Sequence, residues 1–275
     1  MINIFYCTDN KLFTQQLMSV ITLVNNTNEA LNIINLTVEV PEYKKFSKKT
    51  TEAQDKYIEN IVKAKNPESK WQSLDVSDLF RKHLLKGVNM ENKFYSMFVT
   101  VRLLAHLIPE LGDKAIYLDS DTIISGDIKE LWDLDITNYH IAGRRDSGRP
   151  GFKYLQSGVM LLNLKSIREE GIFARACDMI VNEKIGVYLD MTAVNKAIPN
   201  KKKKVFDKKF NCYKYKKNNV IHHVCALREG KFPLIGKWWH RIKIDELDLL
   251  KKYQPEYAHL VDDMYKRMAE NPELF

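Results

Sequence analysis

The chain has 275 residues, 45% of them hydrophobic and 28% charged, the proportions of a soluble globular protein with a sizeable core, built as one large domain or a domain with an appendage. With 43 basic against 35 acidic residues the formal net charge is +8, which points to an anionic partner: nucleotide phosphates, an acidic membrane face or nucleic acid. No apolar run approaches the roughly 18 residues of a membrane span, Met1–Phe13 lacks the features of a signal peptide, and Cys7, Cys177, Cys212 and Cys225 form no Cys-x-x-Cys pair, so a cytoplasmic protein with reduced thiols is expected.

Asn3–Cys7 is a short apolar run, read as a strand that opens on Thr8-Asp9-Asn10. Phe13, Leu17, Val20, Ile21 and Val24 follow at helical spacing, and Leu31–Val40 is rich in strand formers. Tyr43–Lys65 is polar and reads as a solvated helix, Ser73–Val76 as a short strand, and Phe94–Leu107 as a buried helix stopped by Pro109. Ile116-Tyr117-Leu118 predicts a buried strand that ends in Asp119-Ser120-Asp121, resumes as Thr122-Ile123-Ile124 and turns at Ser125-Gly126-Asp127. Tyr154–Leu164 predicts another buried strand, Ile167–Val181 a helix, and Asp245–Phe275 an amphipathic helical end broken at Pro255 and Pro272. This alternation implies an α/β fold: a mainly parallel sheet flanked by helices, with ligands outside the carboxyl ends of its strands, where Thr8-Asp9-Asn10 and Asp119-Ser120-Asp121 fall.

Residues two apart on an extended backbone project to one side, so Asp119 and Asp121 can face one point. Two carboxylates held that close repel unless a cation lies between them, and hard oxygen ligands suit Mg²⁺ or Mn²⁺ with positions left for substrate phosphates. The rival reading is a polar strand end.

Several further segments carry a resemblance. They are Phe5-Tyr6-Cys7-Thr8-Asp9-Asn10; Arg102, 17 residues before Asp119; Tyr117–Ile136; Asp146; Tyr154-Leu155-Gln156-Ser157-Gly158-Val159; Leu189-Asp190-Met191-Thr192-Ala193-Val194-Asn195; His223-Val224-Cys225-Ala226; and Gly236-Lys237-Trp238-Trp239. In this order, from Ile2 to about Trp239, the set resembles family 8 of the retaining glycosyltransferases, the group containing glycogenin and bacterial lipopolysaccharide galactosyl- and glucosyltransferases. The resemblance implies a nucleotide-sugar-binding fold of the GT-A type over residues 1–240, with a small helical appendage at 241–275. It implies transfer of glucose or galactose from a UDP-sugar to a glycan or glycolipid acceptor. Asp119, Asp121 and His223 would hold Mn²⁺, with Mg²⁺ the alternative. Thr8, Asp9, Asn10, Ser120, Ala226 and Lys237 would bind the nucleotide, and Asp190, Arg102, Asp146 and Gln156 would act at the sugar.

The chain departs from the family pattern at Gln156 (usually asparagine), Met191 (glutamine), Ala226 (glycine) and Trp238 (proline), and Leu227–Ile235 lengthen the last motif. Structural readings stand beside the functional ones. His222 competes with His223, Arg102 among apolar residues needs an anion in any event, Asp190 and Asp9 suit helix caps, and Trp238 and Trp239 suit a core. The lysines from Lys201 to Lys217 accompany no nucleic-acid-binding motif, so a solvated face or peripheral contact with an anionic membrane at the inner face is expected. A noncatalytic module holding an anionic ligand and a metal-dependent nucleotidyltransferase remain alternatives.

Overall fold

The computed structural model describes residues 1–45, 48–90, 96–146, 153–183, 185, 188–225 and 247–275. Strands β1 (Ile2–Cys7), β2 (Leu31–Thr37) and β3 (Lys70–Asp75) are connected through α1 (Phe13–Asn25) and α2 (Glu52–Lys65). Then come α3 (Ser77–His83), a 3₁₀-helix (Met97–Leu107), β4 (Lys114–Leu118), β5 (Thr122–Ile124), α4 (Lys129–Trp132), β6 (Ile141–Arg145) and β7 (Leu155–Asn163). The remainder holds α5 (Leu164–Glu169), α6 (Ile172–Asn182), α7 (Leu189–Ala197), β8 (Lys203–Val205), β9 (Ile221–His223), α8 (Leu247–Tyr253) and α9 (Ala258–Glu270).

Among the described residues, seven strands form one sheet in the order β3-β2-β1-β4-β7-β6-β8, and β5 with β9 makes a separate ribbon. Pairing is parallel from β3 to β4 and between β6 and β8, while β7 runs antiparallel to both its neighbours. The sheet is thus mixed and mainly parallel, flanked by helices, as expected. Strand alternation sets the layers. Ile4, Tyr6, Ile116, Leu118, Val159 and Leu161 join α1, α2 and α9 in one core. Phe5, Tyr117, Met160 and Leu162 join the 3₁₀-helix, α6 and α7 in the other.

Several elements differ from expectation for local reasons. Phe94–Leu107 is not an α-helix where described but a 3₁₀-helix over Met97–Leu107. There Thr100, Arg102 and His106 each meet the carbonyl three residues earlier with their side chains, competing with the α-helical ladder. Ile167–Val181 is two helices, separated at Gly171, whose φ of 62° only glycine adopts without cost. Between Tyr43 and Lys65 only Glu52–Lys65 is helical, started by a capping box of Thr51 and Gln54. The strand expected over Leu31–Val40 stops at Thr37, and that expected over Ser73–Val76 lies over Lys70–Asp75.

The C-terminal helices lie on the α1/α2 side. Gln54 Nε2 donates to the Leu274 carbonyl at 2.9 Å, Arg267 Nη1 to the Tyr57 hydroxyl at 3.1 Å, and Phe275 packs on Phe13. The boundary expected at 240/241 falls within 226–246, outside the described residues.

Candidate active site

β1 and β4 are neighbours, with Phe5 opposite Tyr117, so Thr8 and Asp119 leave the sheet side by side at its carboxyl edge. Asp119 is held there by its N–H, which donates to the Gly158 carbonyl of β7 at 2.8 Å. Three residues on, the chain enters β5, whose antiparallel register with β9 sets Thr122 opposite His223. That register brings His223 Nε2 to 3.1 Å from Asp121 Oδ1 and 3.5 Å from Asp119 Oδ2. One ligand atom from each of the three residues lies within 4.8 Å of the others. Alternation turns His222 the other way, fully buried against Tyr257, where burial lowers its imidazole to about 4.

The cluster is shaped closely. A Cβ added to Gly158 would lie 2.1 Å from His223 Cε1 and 2.8 Å from Asp119 Oδ2, so no larger residue fits behind the imidazole. Burial raises Asp119 above the ordinary carboxyl value, against the pull of Arg102 and His223. Burial acts likewise on Asp121, but His223 outweighs it and holds that carboxyl below its ordinary value. Burial also disfavours charge on His223, yet Cys225 and Asp121 raise it well above the ordinary imidazole value. Two carboxylates and an imidazole whose buried Nε2 faces Asp121 as an ion-pair partner, with no hydrogen bond among the described residues, are a donor set that fits Mn²⁺, with Mg²⁺ the poorer match to nitrogen.

Arg102 lies beneath this cluster as an ion-pair bridge, 3.0 Å from Asp119 and 3.4 Å from Asp190. Its Nη1 donates to the Ser157 carbonyl at 2.8 Å, and its guanidinium packs over the Tyr117 ring. Asp190 stands in the first turn of α7, buried, and is not its N-cap, which is Tyr188. In the same helix Asn195 accepts from the Leu155 N–H and donates to the Leu155 carbonyl, docking α7 on the start of β7. Gln156, next along β7, has a buried Oε1 with no hydrogen-bond partner among the described residues. Asp146 follows β6, its N–H bonded to the Tyr154 carbonyl, and its charge acts on Tyr213, whose ring lies against His223.

At the end of β1, a cavity of about 50 Å³ is lined by Cys7, Thr8, Asp9, Leu12, Leu36 and Val38. Thr8 directs both its N–H and its hydroxyl to Asn35 Oδ1. Asp9 accepts from the N–H groups of Lys11 and Leu12 and so caps the short 3₁₀ turn Asn10–Leu12 rather than α1 itself. Asn10 has a buried Oδ1 without a hydrogen-bond partner among the described residues, and Ser120 Oγ donates to Gln15 Oε1 at 3.2 Å. Ala226, Lys237, Trp238, Trp239 and the segment Leu227–Ile235 lie outside the described residues.

The lysine run is less uniform than a solvated face. Lys203 is buried and donates to the Asn195 carbonyl, Lys204 donates to Asp135, and Lys209 pairs with Glu130, while Lys201, Lys208, Lys214, Lys216 and Lys217 are exposed. Among the described residues no helix is long and apolar enough to cross a membrane.

Known proteins are similar to this chain in sequence or in fold. The chain is 30% identical over 155 residues to a Haemophilus influenzae protein, a match covering 47% of this chain and 44% of that one, and it spans less than half the length of the curated relatives it matches. The structure of galactosyltransferase LgtC, solved with donor and acceptor sugar analogs, superposes with a TM-score of 0.66 at 16% identity, covering 95% of this chain and 96% of that one. Glycosyltransferase GlyE of Streptococcus pneumoniae TIGR4 superposes with a TM-score of 0.59 at 16% identity, covering 97% of this chain and 64% of that one. Identities this low speak for the fold alone, which is of the GT-A type. Because the profile of glycosyl transferase family 8 matches residues 3–227, the greater part of its length, the chain belongs to that family.

Proposed function

We propose that this chain is a metal-dependent, retaining hexosyltransferase that moves glucose or galactose from a UDP-sugar to a cell-surface glycan or glycolipid such as lipopolysaccharide. The observation that carries this reading is the convergence of Asp119, Asp121 and His223 at the carboxyl edge of β1 and β4, next to the Thr8–Asp9 cavity. Asp119, Asp121 and His223 would hold Mn²⁺ or Mg²⁺, which when bound neutralises charge on the departing diphosphate. Thr8, Asp9, Asn10 and Ser120 border the place for the nucleoside, and Lys237 and Ala226 would complete the phosphate side.

The sugar would lie toward Asp190, Gln156 and Asp146. Gln156 Oε1, buried and without a hydrogen-bond partner among the described residues, is an acceptor for a sugar hydroxyl. Asp190, tied to Arg102, polarises the sugar as positive charge develops at the anomeric carbon. Retention follows if the bond to the diphosphate breaks while the acceptor oxygen enters on the same face, its proton passing to the departing phosphate oxygen. Met191 supports this route over a covalent one, since a thioether offers neither an amide nor a nucleophilic oxygen beside the sugar. The exposed lysines support peripheral contact with an anionic membrane on its cytoplasmic side.

Met191 also favours a second reading, a noncatalytic nucleotide-sugar-binding module. Radiolabelled UDP-glucose and UDP-galactose, offered with Mn²⁺ or with excess chelator, separate the two: Mn²⁺-dependent release of UDP with hexose transferred or hydrolysed is expected. Binding without turnover would leave the module, and transfer of the nucleotidyl group would mean a nucleotidyltransferase.

A further inference from the structure

Asn211 makes one close polar contact with the candidate metal cluster. It follows the short 3₁₀ turn Lys208–Phe210, is fully buried, and has its Oδ1 3.1 Å from His223 Nδ1. Its own carbonyl accepts from Arg144 Nη1 at 2.5 Å, and the Arg144 guanidinium lies over the ring of Tyr213, which packs edge-on to His223. The next residue, Cys212, is laced to β9 by two backbone bonds, from Cys212 N–H to the Ile221 carbonyl at 3.0 Å and from His223 N–H to the Cys212 carbonyl at 2.7 Å. Asn211 therefore rides on an added rung beside the strand that carries His223.

An imidazole can offer Nε2 to a cation only if that nitrogen carries a lone pair, so the ring proton must sit on Nδ1 and needs an acceptor there. The Asn211 amide oxygen is such an acceptor. The Asn211 Nδ2 is buried and without a hydrogen-bond partner among the described residues, so no bond to the amide nitrogen turns the oxygen away from the ring. Ring orientation matters equally, because the gap filled by Gly158 leaves the imidazole little freedom to tilt.

We propose that Asn211 is a positioning residue for His223: its amide oxygen fixes the Nδ1–H tautomer and the ring plane, so that Nε2 faces Asp119 and Asp121 ready to bind a divalent cation. This rests on the metal reading given above. Partners of this kind, when removed, weaken metal binding by about 10–100-fold.

The test measures Mn²⁺ uptake in the presence of UDP, from the electron paramagnetic resonance signal of free Mn²⁺, for the wild type and three variants. Asn211→Leu keeps the branched shape of the side chain and removes the acceptor, and Mn²⁺ binding should weaken about 10–100-fold. Asn211→Asp keeps an acceptor oxygen, and binding should match or exceed wild type. If the leucine variant does not fold, Asn211→Ala removes the same acceptor with a smaller side chain and should show the same loss. Wild-type binding together with unchanged binding in Asn211→Leu or Asn211→Ala would overturn the inference alone, as would an aspartate variant that loses as much as the leucine one. A wild type that takes up no Mn²⁺ would overturn the metal reading and this inference with it.

Discussion

Tyr257 lies nearly flat on His222, with ring centroids 5.3 Å apart and planes 22° apart. Through that contact the segment after 246 braces β9, where the next residue is His223. Tyr257 is itself buried, and the edge of Tyr215 closes on its other side. Replacing Tyr257 by alanine should cost about 3 kcal/mol of stability, as for other buried aromatics, and should weaken Mn²⁺–UDP binding as β9 loosens. Tyr257→Phe keeps the stack and should stay near wild type in both. Normal metal uptake by a folded Tyr257→Ala protein would show that the brace does not reach the cluster.

Asp121 is the residue whose loss should separate chemistry from folding. It borders the cluster with part of its surface exposed, and its removal relieves repulsion from Asp119, which offsets the loss of its pair with His223. Asp121→Ala should therefore melt near the wild-type temperature in chelator, yet bind no Mn²⁺–UDP and turn over no donor. Undiminished turnover in this variant, or in the wild type with excess chelator, would remove the metal from the reaction.

At Gly158 the added methyl of alanine would overlap the His223 ring and the Asp119 carboxylate. The imidazole has to tilt or the β7 backbone has to shift. Gly158→Ala should thus lose metal binding at least as severely as Asp121→Ala, with a lower melting temperature besides. A crystal structure of the variant with His223 unmoved would contradict the packing argument.

Lys203 gives a pH dependence whose sign is determined by burial. Burial lowers its ammonium from 10.5 to about 8 in the folded protein. Below about 8 the lysine is charged in both the folded and the unfolded state, and the folded state bears the full desolvation cost. Between about 8 and 10.5 the unfolded chain still holds the proton and the folded one does not, so this contribution to stability rises with pH. The difference in unfolding free energy between wild type and Lys203→Met should grow in favour of wild type from pH 7 to pH 10, by at most about 3 kcal/mol. A flat difference across that range would mean that the ammonium is solvated after all.

What the sequence made legible and what it hid divide along physical lines. Asp119 and Asp121 stand out because a buried strand breaking into two acids is costly without a cation, and Arg102 because an arginine among apolar residues must meet an anion. Both show directly in composition along the chain. The 3₁₀ winding of Met97–Leu107 does not, since it depends on side chains meeting backbone carbonyls, and an apolar stretch has the same pattern whichever ladder it forms. Lys203 looks like its neighbours in the lysine run, and its burial against the Asn195 carbonyl is a matter of tertiary packing alone. Asn211 carries no motif at all. Its place beside His223 arises from the backbone bonds that join Cys212 to β9, contacts that no local spacing announces.

The division between the two sheets has a mechanical meaning. Asp119 directly follows β4 of the seven-stranded sheet, whereas Asp121 directly precedes β5 of the β5/β9 ribbon that carries His223, so residues two apart in sequence stand at the edges of separate sheets. A cation gripping all three would act as a rivet between the sheets. The concentration of that cation would then set how firmly the ribbon, and the C-terminal segment stacked on it through Tyr257, are fastened to the rest of the molecule.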